Sequence, residues 1–312
     1  MQYYKKKLMS KNGEVTMGLA RELISNDVGD RIKTVEQYAD NFGTGRGTIQ
    51  SAIKFLRDED AITLESRGHL GTFILSMDYK KLWDISDLGT IMGVMPLPYS
   101  RRYEGLATGL YKAFEMAAIP FNLAFMRGAS KRIETLSFGK YDFVISSKLA
   151  PIYKQREYPS IEIIYEFGKN SYVGEHMLIY KGDEGCKIDN GMRIGIDPTS
   201  PDQFLLTKYE CEGKNVKYVE TSYNQITEKL ENGEIDVAIW NEDEIIEKGL
   251  KYNMAKLKNP KSLEVNEKVS TAAMIVNKDH VEIQKIIKKF INMEIIKETQ
   301  NQVIKGQLIP MY

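Results

Sequence analysis

The chain of 312 residues is poor in the groups that anchor metals and covalent frameworks: two cysteines, three histidines and two tryptophans. Cys186 and Cys211 follow no redox or metal spacing, which argues against a disulfide scaffold and points to a reducing compartment. His69, His176 and His280 stand far apart, so no pair has the spacing of a zinc site. With so few such groups, no acid–base–nucleophile set emerges, and neither a catalytic residue, a metal nor a cofactor is assigned. Net charge is lacking too, at 43 basic against 43 acidic side chains. Nucleic acid could therefore be held only by charge gathered on one face. No apolar run approaches the ~20 residues of a membrane span. After Lys5-Lys6-Lys7 there is no apolar segment of the kind a secretory signal needs. A cytoplasmic protein with no membrane partner is expected.

What is present is organised around Ile32 to Ile74. Before it, Glu14 to Asn26 sets Val15, Leu19, Ala20, Leu23 and Ile24 on one helical face, and Asn26-Asp27 with Gly29 closes the helix. Thr34 and Gln37 form a capping-box pair at the start of a second helix, which buries Val35, Tyr38, Ala39 and Phe42. Gly43-Thr44-Gly45 breaks it with the positive φ that a tight inter-helix turn requires. A third helix from Arg46 buries Ile49, Ala52, Ile53 and Leu56 and turns Arg46, Thr48, Gln50, Ser51 and Lys54 outward. Those side chains can donate to phosphates or base edges, although any surface helix has a polar face. A hairpin follows: Ala61 to Glu65, a turn at Ser66-Arg67-Gly68-His69, and Thr72 to Leu75. Helix, turn, helix and basic-tipped hairpin are the layout of a winged helix-turn-helix, assigned to residues 1–77. Residues contacting DNA are then Thr34, Arg46, Thr48, Gln50, Ser51, Lys54, Arg67 and His69. Charge gives little support, since residues 1–77 hold 11 Lys and Arg against 10 Asp and Glu.

Family resemblance agrees. Gly29-Asp30-Arg31-Ile32-Lys33-Thr34 resembles the Gly-Asp-Arg-Leu-Pro-Ser stretch of GntR-type regulators. Tyr38-Ala39 and Phe42-Gly43 fall where that family has Leu-Ala and Leu-Gly. Arg46-Gly47-Thr48-Ile49 is similar to its recognition-helix start, and Gly71-Thr72-Phe73-Ile74 to its wing. Glu36 and Gln50 replace two arginines of the family pattern, and the wing Gly68-His69-Leu70-Gly71 is one residue longer. With the C-terminal half, this wing most resembles the YhfZ-type branch. The resemblance implies DNA binding and leaves the preferred sequence open.

Residues 78–87 read as a packed linker through Tyr79, Leu82, Trp83 and Ile85. From Leu88 strands and helices alternate in two βαβαβ halves, each expected to form a parallel sheet. The first runs through Gly89–Leu97, Tyr103–Ala118, Phe121–Met126, Lys131–Phe138 and Tyr141–Ser146. The second runs through Met192–Ile196, Asp202–Tyr209, Val216–Glu220, Gln225–Glu231, Ile235–Trp240 and Asp243–Gly249. Crossing strands are expected near Tyr172–Tyr180 and Ser270–Val276, and one long amphipathic helix from Val281. Lobe 1 would hold about 88–175 and 277–312, lobe 2 about 182–268. The fold class is α/β overall: a winged helix plus a two-lobed domain that resembles type II periplasmic binding proteins, as in LysR effector domains.

In open α/β sheets a ligand sits beyond the carboxyl ends of the strands, against helix N-termini. Those ends offer Pro98, Tyr99, Ser100 and Arg101, then Gly128 and Ser130, then Ser146 and Ser147. In the second lobe they offer Thr199, Ser200 and Asp202, then Trp240 and Asn241. Hydroxyls at helix starts near arginines suit a small anion such as a carboxylate, and equally suit plain helix capping. The expected function is an effector-responsive regulator that binds operator DNA as a homodimer. The alternative is a transferase- or dehydratase-like enzyme on the same two-lobed fold.

Overall fold

The structure is a computed structural model that describes residues 9–181 and 187–312. Lys5 to Lys7 and Cys186 lie outside the described residues. By contact density the chain forms two compact units. One holds residues 9–91 with 116–120 and 285–291, and the other holds the remaining described residues.

In the first unit α1 (Lys11–Ile24) starts earlier than its apolar spacing suggests, because the Ser10 hydroxyl accepts the Gly13 amide and caps it. It packs on α3 (Arg46–Asp58) and α4 (Tyr79–Ser86). Val15, Leu19, Ala20, Leu23 and Ile24 are buried on this face as its spacing requires. The Thr34–Gln37 capping box is formed in full ahead of α2 (Val35–Phe42), and Gly43 ends α2 in the left-handed region at φ 57°. Strands β1 (Ile62–Ser66) and β2 (Thr72–Met77) pair antiparallel as the wing. Backbone bonds from Ile32 to Thr72 and from Ile74 to Asp30 lay the 29–32 segment against β2 through a single bridge, Arg31 to Phe73. The stretch from Tyr79 is helical and anchored: Leu82 and Trp83 are buried, and the Trp83 indole N–H donates to the Gly89 carbonyl at 2.8 Å.

The C-terminal helix differs from expectation. It is two helices, α12 (Val281–Phe290) and α13 (Met293–Ile304), because Asn292 caps a new start by accepting the Glu294 amide. Residues 285–291 belong to the first unit, and there the Lys289 ammonium reaches Asp27 Oδ1 at 2.9 Å. It also donates to the Ile24 carbonyl at 3.3 Å and to the Asn26 carbonyl. A cation at the last carbonyls of α1 offsets that helix's negative end. Replacing Lys289 with Met keeps the stem and deletes these bonds. We expect it to destabilise this unit by about 1–3 kcal/mol, measured as a lower urea midpoint in Trp83 fluorescence. An unchanged midpoint would show the contact to be idle.

The second unit contains two five-stranded sheets, ordered β4-β3-β5-β12-β6 and β11-β7-β10-β8-β9. The first is built from β3 (Ile91–Met95), β4 (Phe121–Phe125), β5 (Phe143–Ser147), β6 (Ile161–Glu166) and β12 (Ala272–Asn277). The second uses β7 (His176–Tyr180), β8 (Arg193–Ile196), β9 (Lys217–Glu220), β10 (Val237–Asn241) and β11 (Asn253–Lys256). Neither sheet is purely parallel, which corrects the sequence reading. β3–β5, β8–β9 and β8–β10 are parallel. β12 runs antiparallel to β5 and β6, and β7 antiparallel to β10 and β11. The reason is connectivity: β7 and β12 each follow a segment that crosses from one sheet to the other, and so enter against the local direction.

The helices that matter for the cleft are α5 (Arg101–Met116), α6 (Ala129–Ser137), α8 (Pro201–Glu210) and α10 (Glu242–Glu247). Each lobe has its own core. Val94, Ile133, Leu136, Val144 and Ile275 pack in one, while Leu178, Ile194, Leu206 and Ile239 pack in the other.

Candidate DNA-reading face and interlobe cleft

On the first unit, α3 buries Ile49, Ala52 and Leu56 and leaves Arg46, Gln50, Ser51 and Lys54 exposed, with Thr48 half-buried. Its start is capped by Gly45 with no side-chain acceptor, so first-turn amides remain available to an anion. Arg46 pairs with Glu36, Lys54 with Asp58, and Arg67 with Glu65. The Arg67 guanidinium also lies over the Phe73 ring at 4.6 Å. All three ion pairs are solvent-exposed, and such pairs contribute little, so phosphates can displace the acids at small cost. His69 sits exposed in the short turn Gly68–Leu70 at the wing tip.

Thr34 is occupied as a helix cap, accepting the Gln37 amide at 3.2 Å. A groove of about 430 Å³ between wing and reading helix is lined by Lys33, Thr34, Gln50, Lys54, Arg57 and Gly71 among others. Sequence reasoning passed over Lys33, Arg57 and Arg31. The Arg31 guanidinium lies against Gly71 of the wing, a place that only the pairing of the 29–32 segment with β2 reveals.

In the second unit a cavity of about 100 Å³ lies between the lobes. Five of the expected cleft residues line it: Tyr99, Gly128, Thr199, Ser200 and Asp202. The others stand elsewhere. Pro98 is half-buried away from the cavity. Ser100 and Ser130 are turned into the protein with hydroxyls that meet no partner. Arg101 is exposed at the start of α5, its amide donating to Glu247 Oε2 at 2.7 Å. The Ser146 hydroxyl donates to the Ser147 carbonyl. Trp240 is buried beneath Tyr223, ring on ring at 3.8 Å, and Asn241 caps α10. Ser147 acts one layer back, donating to Asp202 Oδ1 at 2.7 Å across the lobes.

Gly128 shows why its position is a glycine. Its φ is 74°, and a Cβ there would come within 2.9 Å of Thr199 Oγ1 in the opposite lobe. The Ser130 amide donates to the Thr199 carbonyl at 3.2 Å, so this turn meets the second lobe directly. A further bridge, unread in the sequence, joins Arg102 Nε to Asp243 Oδ2 at 2.8 Å. The same oxygen accepts the Gly174 amide at 2.7 Å.

Seven further wall residues escaped the sequence reading: Tyr103, Arg132, Tyr172, His176, Asp197, Gln203 and Tyr223. Arg132 is 2% exposed and donates to the Met126 carbonyl at 2.7 Å, the Ile145 carbonyl at 3.2 Å and the Tyr172 hydroxyl at 3.2 Å. Asp197 accepts the Thr199 amide and hydroxyl on Oδ1 and the Tyr223 amide on Oδ2. Burial pushes the Asp202 carboxyl up to about 7, against the opposing pull of the Ser147 bond and Arg132. Burial likewise holds His176 down at about 4, which nearby Asp243 only partly counters. At neutral pH the imidazole is uncharged. Among the described residues no cluster of three or more His, Cys, Asp or Glu is placed to hold a metal, and no helix is long and apolar enough to cross a membrane.

Residues 27–74 match the family model of a helix-turn-helix domain, and residues 78–312 that of the YhfZ C-terminal domain. A curated relative, YhfZ of Escherichia coli (strain K12), is 33% identical over 308 residues, covering 97% of this chain and 98% of its own. The crystal structure of YhfZ from Shigella flexneri superposes with a TM-score of 0.60 at 32% identity, over 75% of this chain and 97% of that one. The periplasmic aliphatic sulphonate binding protein SsuA of Escherichia coli superposes at 0.51 with 12% identity, over 70% of this chain and 74% of its own. That last likeness is one of fold alone: the second unit is a two-sheet domain of the periplasmic-binding-protein type.

Proposed function

The chain belongs to the YhfZ family, and we propose that it is a cytoplasmic, effector-responsive transcriptional regulator. A GntR-like winged helix binds operator DNA, and two copies in a homodimer read two half-sites. A small molecule held between the lobes changes how the two reading helices are presented, and with it operator affinity. No catalytic step and no cofactor enters this reading.

The observation that carries the proposal is the outward row of Arg46, Gln50, Ser51 and Lys54 on α3 beside the arginine-bearing wing. The interlobe cavity supports the effector half. At about 100 Å³ it is smaller than the usual ligand pocket and admits only a molecule of a few heavy atoms, with walls from both lobes. The sequence led to an anionic effector, held by Ser100–Arg101 and Thr199–Ser200. Of those four only Thr199 and Ser200 line the cavity, which weakens the case for an anion.

The test is a mobility shift on duplex from the operon's own upstream region across a salt series. Arg31, Arg46, Lys54 and Arg67 give four phosphate partners per copy, so a two-copy complex should show a log–log salt slope of about −7. Binding indifferent to salt, or no binding, would sink the regulator reading.

A further inference from the structure

Three charged side chains in the cleft walls are almost wholly enclosed: Arg132 at 2% exposure, Asp197 at 3% and Asp202 at 5%. The enclosed set thus holds two carboxyl groups and one guanidinium. Arg127 also lines the cavity, but it is exposed to solvent, with its Nε donating to the Tyr99 hydroxyl at 3.1 Å. Arg132 has committed donors to two carbonyls and a phenol. Asp197 is filled by three donors. Asp202 differs. Ser147 donates to its Oδ1, while no described residue donates to its Oδ2, and the side chain borders the cavity. His176, 8% exposed, borders the same cavity with Nδ1 lacking any partner. An enclosed carboxyl with one oxygen unfilled on a cavity wall is a group that a ligand donor can satisfy.

We propose that the cavity takes a small organic monocation, an ammonium-bearing molecule whose nitrogen sits against Asp202 Oδ2, the free carboxyl oxygen on the cavity wall. The inference rests on the effector half of the proposed function and names the ligand's charge. Four phenol rings line the same space, with Tyr99 and Tyr223 at 6.1 Å and Tyr103 and Tyr172 at 5.1 Å between centroids. Ring faces attract ammonium groups, whereas a hard inorganic cation would seek more oxygen ligands than these walls offer. A carboxylate would instead add a third negative charge beside Asp197 and Asp202, with Arg132 already engaged.

Linkage gives the proposal a sign. The groups acting on Asp202 are Arg132 from α6, Ser147 from β5 and Tyr172 from the crossing segment, and the uncharged His176 and Asp197 share its cavity. The unliganded carboxyl titrates at about 7, and only its ionised form attracts a cation. Cation affinity should therefore rise about tenfold per pH unit up to that point and level off above it. A carboxylate ligand would show the reverse.

Two probe series decide the matter by thermal shift. One is methylammonium to butylammonium with ethanolamine and choline, and the other is formate to butyrate with glycolate. At about pH 7.5 we expect at least one ammonium ion to raise Tm and no carboxylate to do so. That ion should bind roughly 25-fold more weakly at about pH 5.5. Asp202→Asn, which can still accept the Ser147 hydrogen bond, should fold and lose the shift. The pH profile of the unaltered chain gives the same answer should the variant fail to fold. Stabilisation by carboxylates, or by no ammonium ion, overturns the proposal. An ammonium ion that binds without changing the DNA shift leaves the site standing and removes its effector role. Absence of any DNA shift fails the regulator reading alone.

Discussion

Gly109→Val is expected to lower the stability of the two-lobed unit by roughly 1–3 kcal/mol. Helix α5 meets α13 backbone to backbone at this point. A Cβ on Gly109 would lie 2.7 Å from the Ile296 carbonyl oxygen and 2.9 Å from its Cα. One turn earlier, a Cβ on Gly105 would meet Gln300 Cα at 2.9 Å. These neighbours are main-chain atoms, so no rotamer change relieves the clash and the helices must part. Parting them would strain the Gln300 amide, which donates to the Arg102 carbonyl at 2.9 Å and to the Ser171 carbonyl at 2.7 Å. The loss therefore spreads to the crossing segment. Glycine ordinarily weakens a helix by about 1 kcal/mol relative to alanine, and that helix gain offsets part of the cost of a Gly109→Ala change. Valine gains less in helix propensity and crowds more. The chain holds two tryptophans, Trp83 in the first unit and Trp240 in the second. A Trp83→Phe background makes fluorescence report the second unit alone. A parental urea midpoint in that background would contradict the close approach.

That glycine pair was open to sequence reading only as weak helix, which shows where one-dimensional reasoning stops. Local chemistry was legible throughout. The Thr34–Gln37 box, the apolar faces of α1 to α3 and the wing hairpin each depend on residues within a few positions of one another. The two-lobed plan was legible too, because its βα units repeat with short spacing. Strand direction was not: β7 and β12 enter their sheets after a crossing, and nothing local encodes that. The β6 segment Ile161–Glu166 and helix α11 (Pro260–Ser270) were passed over. They fill the stretches between the repeated units, where no repeat drew notice.

The cleft divides the same way. Tyr99, Gly128, Thr199, Ser200 and Asp202 were found because they follow strand ends. Arg132 lies mid-helix and reads as ordinary surface charge. It is enclosed where its guanidinium donates to the Met126 carbonyl, just past β4, and to the Ile145 carbonyl within β5. His176 opens β7 and Tyr172 lies in a crossing segment, so both reach the cavity only through tertiary folding. Ser146 and Ser147, read as ligand groups, spend their hydroxyls inside the protein, on the Ser147 carbonyl and on Asp202. A serine near a helix start signals a turn far more strongly than a ligand.

Arg46→Ala and Glu36→Gln are expected to move operator binding in opposite directions. Arg46 begins the reading helix, and in the free chain its guanidinium is held by Glu36. Both side chains are about two-thirds exposed, at 67% and 64%, so either change should leave stability within ~0.5 kcal/mol of the parent. On DNA the pair must open, and the arginine is then free to meet a phosphate or a guanine edge. Losing one such contact costs about 1–3 kcal/mol. Two copies on two half-sites double it, so Arg46→Ala should weaken binding roughly thirtyfold at the least. The Glu36→Gln chain keeps the arginine, drops its competitor and removes one negative charge facing the duplex. It should bind several-fold more tightly, with the gain shrinking as salt rises. A contact to phosphate and a contact to a base are also separable. Loss of a phosphate contact reduces the salt slope by about one per copy and weakens all sequences alike, whereas loss of a base contact flattens discrimination at one operator position. Shift assays on the operator and on scrambled duplex, each across salt, read both quantities. If Glu36→Gln binds no better than the parent while Arg46→Ala binds no worse, this edge of α3 does not touch DNA. The reading surface would then lie toward Gln50, Lys54 and the wing.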